Sequence, residues 1–582
     1  MSESQAPDAG SPNASASGNA KVQADRELLL DAQQSGRTLS AFVKLSGPGW
    51  LQAAITLGGG SLAGALFLGV LGGTSMLWLQ LVAITMGVIM LSAISYVTLS
   101  TGRRPFEAIN TEINPALGWG WLLATVAANI IWCMPQFSLC YDAIDKNLAN
   151  LAGGGLGDSK NSKLGVTLFL FIAAGIVVLL NTRQGKAAKV FDIVLKSLVG
   201  LVVVCFFGVV ALLAIQGELN LGVIFAGFVP NISQWNSPAG ELSGVVASLS
   251  PDLQDYWNGL LVNQQRTVMI AAAATAVGIN MTFLLPYSML ARGWDKPFRG
   301  LARFDLSTGM AIPYVLVTSC VVIASAFSMH NKIDENLASN DLSVMRQSDY
   351  FDAVKGGLIA RVDHQLSEGE AASLSEDEKL KIAASLDEGE KRLALSLVKR
   401  NAFQLSGTLE PLLGPTMANL VFGLGVFGMG FSTIVILMLI NGYAFRELFN
   451  QPKGTESFVL GCLVAGVSGS FWWLVWDSPA KFWLAIFASN FGMMLLPIAY
   501  ITFFLMMNSK RILGDEKPKG ARMLVWNILM GISVIGATVA AVSAIWKEAT
   551  TKPQAMPYIV GFLAIYAVIV FAGFLAKRPR VV

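Results

Sequence analysis

Runs of about twenty consecutive apolar residues, the length a helix needs to cross hydrocarbon, recur along almost the entire chain. They fall near 45–71, 75–99, 117–138, 164–182, 190–214, 267–290, 307–328, 416–440, 457–476, 482–507, 523–545 and 557–576. Lipid offers backbone N–H and C=O groups no partners, so such runs must be helices that satisfy their own hydrogen bonds. The expected fold class is an all-α polytopic membrane protein with about 12 transmembrane helices. Composition agrees: of 582 residues, 54% are hydrophobic and 14% charged, against about 25% charged in soluble domains. Mean hydropathy is +0.57. A formal net charge of +3 gives no basic footprint for nucleic acid. The five cysteines, Cys133, Cys140, Cys205, Cys320 and Cys462, lie inside apolar runs at irregular spacing and read as small buried hydrophobes. Both histidines, His330 and His364, fall in one polar insert. There is no nucleophile beside a base and no phosphate loop, so neither catalytic residues nor a cofactor are expected.

Charge in the connections sets the expected orientation. One set of loops carries Arg103, Arg104, Arg183, Lys186, Lys189, Arg292, Lys296, Arg299, Arg303, Arg446, Lys453, Lys510, Arg511, Lys517, Lys519 and Arg522, with Lys577, Arg578 and Arg580 at the C-terminus. The opposite set is poor in basic residues and includes Lys146, Lys160 and Lys163. The positive-inside rule then puts both termini in the cytoplasm, with the plasma (inner) membrane as the expected location and the lipid bilayer as the expected partner. Residues 1–38, rich in Ser, Ala, Gly, Asn and Gln with no apolar leader, read as a disordered cytoplasmic tail. Residues 39–329 hold helices one to seven, including an external loop at 216–263 with a weakly apolar hairpin around Phe225 to Pro230. An external helical insert follows at 330–411, and helices eight to twelve occupy 412–582. In the insert, Ser375 with Glu378 and Asp387 with Glu390 have capping-box spacing. Leu380, Leu386, Leu393 and Leu397 form an apolar stripe for a helical hairpin, either a cap over the vestibule or a solvated decoration.

The first run contains Gly58, Gly59, Gly60 and Ser61. Each glycine costs about 1 kcal/mol of helix propensity relative to Ala, and an unwound turn frees polar backbone that hydrocarbon does not satisfy. Such a break belongs where it lines a protein-enclosed cavity, as in the discontinuous helices of many secondary transporters; the plainer alternative is a packing glycine cluster. The sixth run reads Ala276 to Ser288, with Gly278 and Pro286 bracketing Asn280 and Thr282. Proline frees a carbonyl one turn earlier, so this helix is expected to be interrupted as well, or else kinked with its polar groups bonded internally. Interruptions five spans apart match two inverted five-helix repeats.

At these residues the chain resembles the natural resistance-associated macrophage protein (NRAMP) family of divalent-metal transporters. Gly47-Pro48-Gly49 stands at the start of the first span, and the family's Asp-Pro-Gly-Asn falls on Gly58-Gly59-Gly60-Ser61. Leu77-Trp78, Thr101-Gly102-Arg103, Leu285-Pro286-Tyr287 in place of Met-Pro-His, and Arg303-Phe304-Asp305 continue the likeness. So do Leu409 to Gly414, Phe422-Gly423-Leu424-Gly425 with Ser432-Thr433, Leu496-Pro497, and Leu513-Gly514. The resemblance covers nearly all of the chain outside the tail and the inserts. It implies a leucine-transporter-like fold and alternating access around a site between helices one and six.

The departures alter the implied chemistry. The family's first-span Asp and Asn and its sixth-span Met ligate the metal, and here they are Gly58, Ser61 and Leu285. Loss of soft sulfur implies lost discrimination against hard ions. The sixth-span histidine is Tyr287, and Asn129 and Trp132 stand where the family carries acids of its proton route, so proton coupling is not expected. The expected substrate site comprises Thr56, Gly58, Gly59, Gly60, Ser61, Asn280, Thr282, Leu285 and Tyr287, with Ser61 and Asn280 as candidate metal ligands and Ser489 and Asn490 as tenth-span polar groups. A largely hydrated divalent cation such as Mn²⁺ or Mg²⁺ is the substrate implied by the resemblance. An amino acid or other small polar solute and a non-transporting sensor are the alternatives. Cys133 and Cys140, seven apart on one helical face, offer soft ligands or core packing, and Asp142 and Asp145 either draw cations to the vestibule or are solvated.

Overall fold

The structure is a computed structural model that describes residues 12–151, 153–182, 186–217, 219–400, 402–407, 409–476, 478 and 480–576. Arg183, Lys577, Arg578, Arg580 and residues 1–11 of the expected tail lie outside the described residues. Every expected run carries helix. In chain order these are α1 (Pro48–Thr56) and α2 (Gly59–Gly72), α3 (Leu77–Thr101), α4 (Pro115–Asp142), α5 (Lys160–Thr182), α6 (Lys186–Ile215), and α7 (Pro251–Ala276) with α8 (Ile279–Ala291). They continue as α9 (Ile312–Met329), α10 (Glu410–Leu448), α11 (Thr455–Ser470), α12 (Lys481–Asn508), α13 (Ala521–Thr551) and α14 (Met556–Ala576). Among the described residues, nine helical stretches are long and apolar enough to cross a membrane, one of them, Gly59–Thr101, containing both α2 and α3. The interrupted α7–α8 stretch is the centre of the bundle: its most apolar window is 94% buried, whereas that of α14 has no fully buried residue, and α14 packs at the periphery, with Val570 O accepting from Asn114 Nδ2 at 2.8 Å.

Small residues let the central helices approach closely, as membrane packing requires where no hydrophobic force separates protein from lipid. A methyl group added at Gly64 of α2 would stand 3.1 Å from Ala272 Cα of α7, and one at Gly69 would stand 2.5 Å from Val322 O of α9. All five cysteines are free and buried. Cys133 and Cys140 pack against Gly469 of α11 and Gly430 of α10, so their shared face is a helix-packing seam.

Several expectations change outside the bundle. Residues expected to lie in a disordered tail form a helix over Pro12–Gln34. Its residues Leu29 and Ala32 are buried, and Arg26 Nη1 pairs with Asp295 Oδ2 at 2.6 Å, contacts a composition argument does not foresee. The expected loop 216–263 already contains the first turns of α7 and three short helices, Leu221–Ala226, Ile232–Trp235 and Leu242–Ala247. His330 fastens this segment to the bundle, with Nδ1 2.9 Å from Val70 O and Nε2 accepting from Glu241 N–H at 3.0 Å. Burial pushes its pKa down.

The insert is helical, with a capping box at Ser375 and Glu378. Asp387 caps its helix alone, through Gly389 N–H, because Glu390 is drawn into a buried ion pair with Arg361 and accepts from Trp257 Nε1 of α7 at 3.1 Å. Leu380, Leu386 and Leu393 are buried and Leu397 is partly so.

Asp142 and Asp145 are neither solvated nor open to ions. Both are buried; Asp142 Oδ1 lies 3.7 Å from Lys481 Nζ of α12, and Asp145 Oδ2 lies 3.0 Å from Lys146 Nζ. Asp158 extends the network to Lys163 at 3.4 Å and Lys481 at 3.8 Å. Three carboxylates and three ammonium groups thus fasten the end of α4 to the start of α12.

Candidate functional site

The first interruption is shorter than the glycines suggest. Only Leu57 (φ −90°, ψ 41°) and Gly58 (φ −90°, ψ 177°) leave the helix. Gly59, Gly60 and Ser61 are the first turn of α2, and the glycines are there for space. A methyl group at Gly59 would stand 2.2 Å from Leu139 Cδ1, one at Gly60 2.9 Å from Thr275 Cγ2, and one at Gly58 2.4 Å from Thr433 Oγ1. The second interruption is confined to Val277 (φ −147°, ψ 106°) and Gly278 (φ −85°, ψ 166°). Pro286 lies inside α8, so Asn280 and Thr282 occupy the first turns of a helix rather than a gap between two breaks.

The two interruptions adjoin. Thr56, the last residue of α1, points Oγ1 at Met281 Sδ (3.5 Å), and Gln52 Nε2 lies 3.5 Å from Met281 O. The thioether expected to be lost at Leu285 thus reappears one turn earlier on α8, while Leu285 itself is buried packing. Ser61 turns its hydroxyl back onto Thr56 O. Asn280 Oδ1 accepts from Met281 N–H at 2.9 Å. Gln52 Oε1 and Asn280 Nδ2 are buried without a hydrogen-bond partner, a costly condition for polar atoms in an apolar interior.

Beside the first break lies a cavity of about 10 Å³ lined by Gly58, Gly60, Ser61, Trp132, Gln136, Thr275, Thr433 and Ser489, among others. That is about the least that holds one water. Trp132 accounts for much of the filling: its ring occupies the notches at Gly278 and Gly492, and its Nε1 donates to Ala488 O. Gln136, one turn further along α4, accepts from Gly59 N–H at 3.1 Å and satisfies one of the orphan donors that begin α2. Gln52 and Gln136 were not singled out in the sequence, although Gln136 follows Trp132 by four residues and Asn129 by seven, a helical-face signal.

Other expected site residues serve elsewhere. Thr282 Oγ1 donates to Ile279 O at 2.5 Å and accepts from Trp121 Nε1 at 2.9 Å, joining α8 to α4. Asn129 Nδ2 lies 3.4 Å from Asn441 Oδ1 on α10. Asn490 Nδ2 reaches Thr267 O of α7 at 3.2 Å and Ile486 O at 2.9 Å and does not line the cavity. Tyr287 stacks on Phe283 with ring centroids 4.4 Å apart, far along α8 from the break. Near it, Glu447 receives two bonds from Arg104 Nη1, at 3.0 and 3.1 Å, so this buried acid is already neutralised by a charge-assisted contact.

At the opposite end of α1, Asp305 accepts from Gly47 N–H at 3.2 Å, from Gly49 N–H at 2.6 Å and from Ser46 Oγ. The Gly47-Pro48-Gly49 and Arg303-Phe304-Asp305 segments therefore meet, with a carboxylate on the positive end of the helix. Among the described residues, no group of three or more His, Cys, Asp or Glu side chains is arranged to hold a metal ion.

The fold is similar to that of solved transporters. A manganese transporter from Eremococcus coleocola, in complex with an aromatic bis-isothiourea substituted compound, matches with a TM-score of 0.54 at 13% identity, over 93% of this chain and 95% of that one. Another structure of that transporter, carrying a single substitution, matches with a TM-score of 0.55 at 11% identity, over 92% and 95%. No curated protein matches by sequence. The family described as natural resistance-associated macrophage protein-like matches residues 49–347 and 383–549. A multi-pass bundle with its first and sixth helices interrupted side by side, matched by one family over most of its length, places the chain in the natural resistance-associated macrophage protein family.

Proposed function

We propose that the chain is a secondary transporter that moves a small divalent cation of the Mn²⁺ or Mg²⁺ kind, still largely hydrated, by alternating access around the α1–α2 and α7–α8 interruptions, without a titrating proton relay. The observation that carries this reading is the meeting of the two breaks through Gln52, Thr56 and Met281, with Gln52 Oε1 and Asn280 Nδ2 buried and unpartnered beside them. The manganese transporters of similar fold support the cation class. Retention of water follows from the ligand set. With Gly58 and Ser61 where a carboxylate and an amide are implied, the groups near the break are neutral, and stripping an ion without an opposing charge is costly. Asn129 and Trp132 do not titrate, and Glu447 is committed to Arg104. We place both termini in the cytoplasm and the protein in the plasma membrane, on the basic loops.

The neutrality of the groups lining the cavity, Gln136, Ser61, Thr275, Thr433 and Ser489, favours one second reading, a small zwitterionic solute whose carboxylate would sit at the start of α2. Uptake into proteoliposomes decides between them, with Mn²⁺, Mg²⁺ and a panel of amino acids and with internal pH monitored. Saturable metal uptake lost on Asn280→Ala is the expected result. Stoichiometric internal acidification during metal uptake would overturn the absence of proton coupling. No affinity for any divalent ion together with binding of an amino acid would overturn the cation reading.

A further inference from the structure

His330 is a buried imidazole with both nitrogens engaged, and its partners leave no choice of tautomer. Nε2 faces the backbone N–H of Glu241 at 3.0 Å and so must accept; Nδ1 faces Val70 O at 2.9 Å and so must donate. The ring thereby joins three elements: its own position at the end of α9, the end of α2 that bears Val70, and the segment leading into the short helix Leu242–Ala247. Two glycines in the left-handed region close around it. A methyl group at Gly73 (φ 58°) would stand 2.8 Å from His330 Cδ2, and one at Gly240 (φ 63°) would stand 2.4 Å from His330 Nε2 and 2.8 Å from Gly72 O. The slot is shaped to an imidazole and leaves 8% of the residue exposed.

A second proton on the ring has no place in this arrangement. Nε2–H would point at Glu241 N–H, two donors head to head in a slot that excludes water. Burial holds the His330 pKa below the ordinary imidazole range, against the opposing pull of Val70 O and the Glu241 carboxylate. The charged groups around the ring come from two elements. α2 contributes none, since Gly59–Gly72 carries no titratable side chain. The segment contributes Glu241, whose Oε2 accepts from Asn331 Nδ2 at 2.8 Å. The insert contributes Arg392, which reaches Asn331 Oδ1 at 3.4 Å and pairs with Glu388. An imidazolium that has lost the Glu241 N–H finds its acceptor in the Glu241 carboxylate, which must then leave Asn331. The neighbouring bonds of the segment are made by groups that do not titrate: Gly227 O with Trp78 N–H at 2.8 Å, and Gln234 with Ser75 and with Trp78 Nε1.

We propose that His330 is a proton-operated clasp on the face that the basic loops assign to the outside: neutral, it fastens the segment around Gly240 and Glu241 to the end of α2, and protonated, it lets the segment go. A base whose pKa is held down binds its proton more tightly in the released form. The fastened form is therefore favoured above the ordinary imidazole pKa of about 6.5 and loses ground as pH falls below it. α2 is the half-helix whose other end is the first break, about 21 Å away for 14 residues at 1.5 Å each. External acid thus loosens the far end of the element around which alternating access is proposed. The proton binds and leaves on one face, so the clasp regulates without being a proton route, and it stands or falls independently of the solute carried.

Hydrogen exchange at the Glu241 amide of the purified full-length chain tests it, corrected for intrinsic rate and compared at about pH 7.5 and about pH 5, either side of the ordinary imidazole pKa. Wild-type exchange there should quicken about tenfold in acid, the scale of one lost hydrogen bond. His330→Gln offers one acceptor and one donor without titrating, so its exchange should quicken little. If His330→Gln does not fold, His364→Gln leaves His330 as the only imidazole in the chain. Its ring resonance should then titrate below about 6.5, in step with loss of protection at Glu241. Unchanged wild-type exchange across this range, equal quickening in a folded His330→Gln variant, or a ring that titrates while Glu241 stays protected would overturn the assignment.

Discussion

Gly58→Asp places a carboxylate where the family resemblance implies one, and the structure fixes what it should do. The new Cβ would meet Thr433 Oγ1 at 2.4 Å and Ile55 O at 2.8 Å, so α10 or the end of α1 must move, an overpacking cost of about 1–3 kcal/mol. The carboxylate would also be buried among hydroxyl and carbonyl lone pairs with no cation, an uncompensated charge worth about 3–5 kcal/mol. The start of α2 returns up to about 2 kcal/mol through its dipole. The net loss is about 2–8 kcal/mol, a large part of the roughly 5–15 kcal/mol that holds a folded domain together. Mn²⁺ should offset part of it, because a ligand at a hundredfold excess over its Kd contributes about 2.7 kcal/mol. Thermal unfolding of wild type and variant, monitored by size-exclusion chromatography with and without Mn²⁺, reads both effects. Wild-type stability of the variant without metal would refute the crowding argued for Gly58. Equal stabilisation of the two proteins by Mn²⁺ would refute the claim that the missing carboxylate is what weakens the metal site.

Gln136→Leu should lower stability by about 1–3 kcal/mol, because Gly59 N–H loses its acceptor in a dry interior, and Gln136→Glu, which keeps an acceptor, should lose less; the unfolding midpoint of each variant checks this. In the insert, hydrogen bonds from the Ser375 hydroxyl and backbone N–H hold the Glu378 carboxyl below the usual glutamate range. The capping contribution is therefore complete above the ordinary glutamate pKa and is lost as pH falls through the lowered folded value. Hydrogen exchange in the first turn of Glu376–Ala384, corrected for intrinsic rate, should accelerate on acidification in the wild type and respond less in Ser375→Ala.

Helix positions were legible because the rule that enforces them is severe: no backbone group is left unpaired in lipid, and apolar length follows. The glycines showed where α1 breaks but not how briefly, since Gly59 and Gly60 answer to Leu139 and Thr275, neighbours remote in sequence. Pro286 misled because a proline in a membrane helix signals a break in sequence and is absorbed in α8 by its surroundings. Thr282 was read as facing a site from its place between Gly278 and Pro286, and Asn490 from the resemblance to the family, yet each fastens one helix to another. Gln136 was missed for the complementary reason: its role depends on the N–H at the start of α2, which only the three-dimensional arrangement brings within reach. The pairing of Asp142 with Lys481 lies beyond pattern reading altogether, as 339 positions separate them.

The nine residues of α1, eight of them buried, form a short rod joined to α2 through Leu57 and Gly58, packed along its length and hydrogen-bonded at its two tips. Asp305 grips one tip; Ser432, Thr433 and Met281 hold the other. Each such contact is worth about 0.5–1.5 kcal/mol net of its exchange with water, and the buried side chains of Leu51 and Ile55 add packing to it. The rod is thus set by packing along its length and by hydrogen bonds at both ends, and a species that grips one tip harder than the other biases its position.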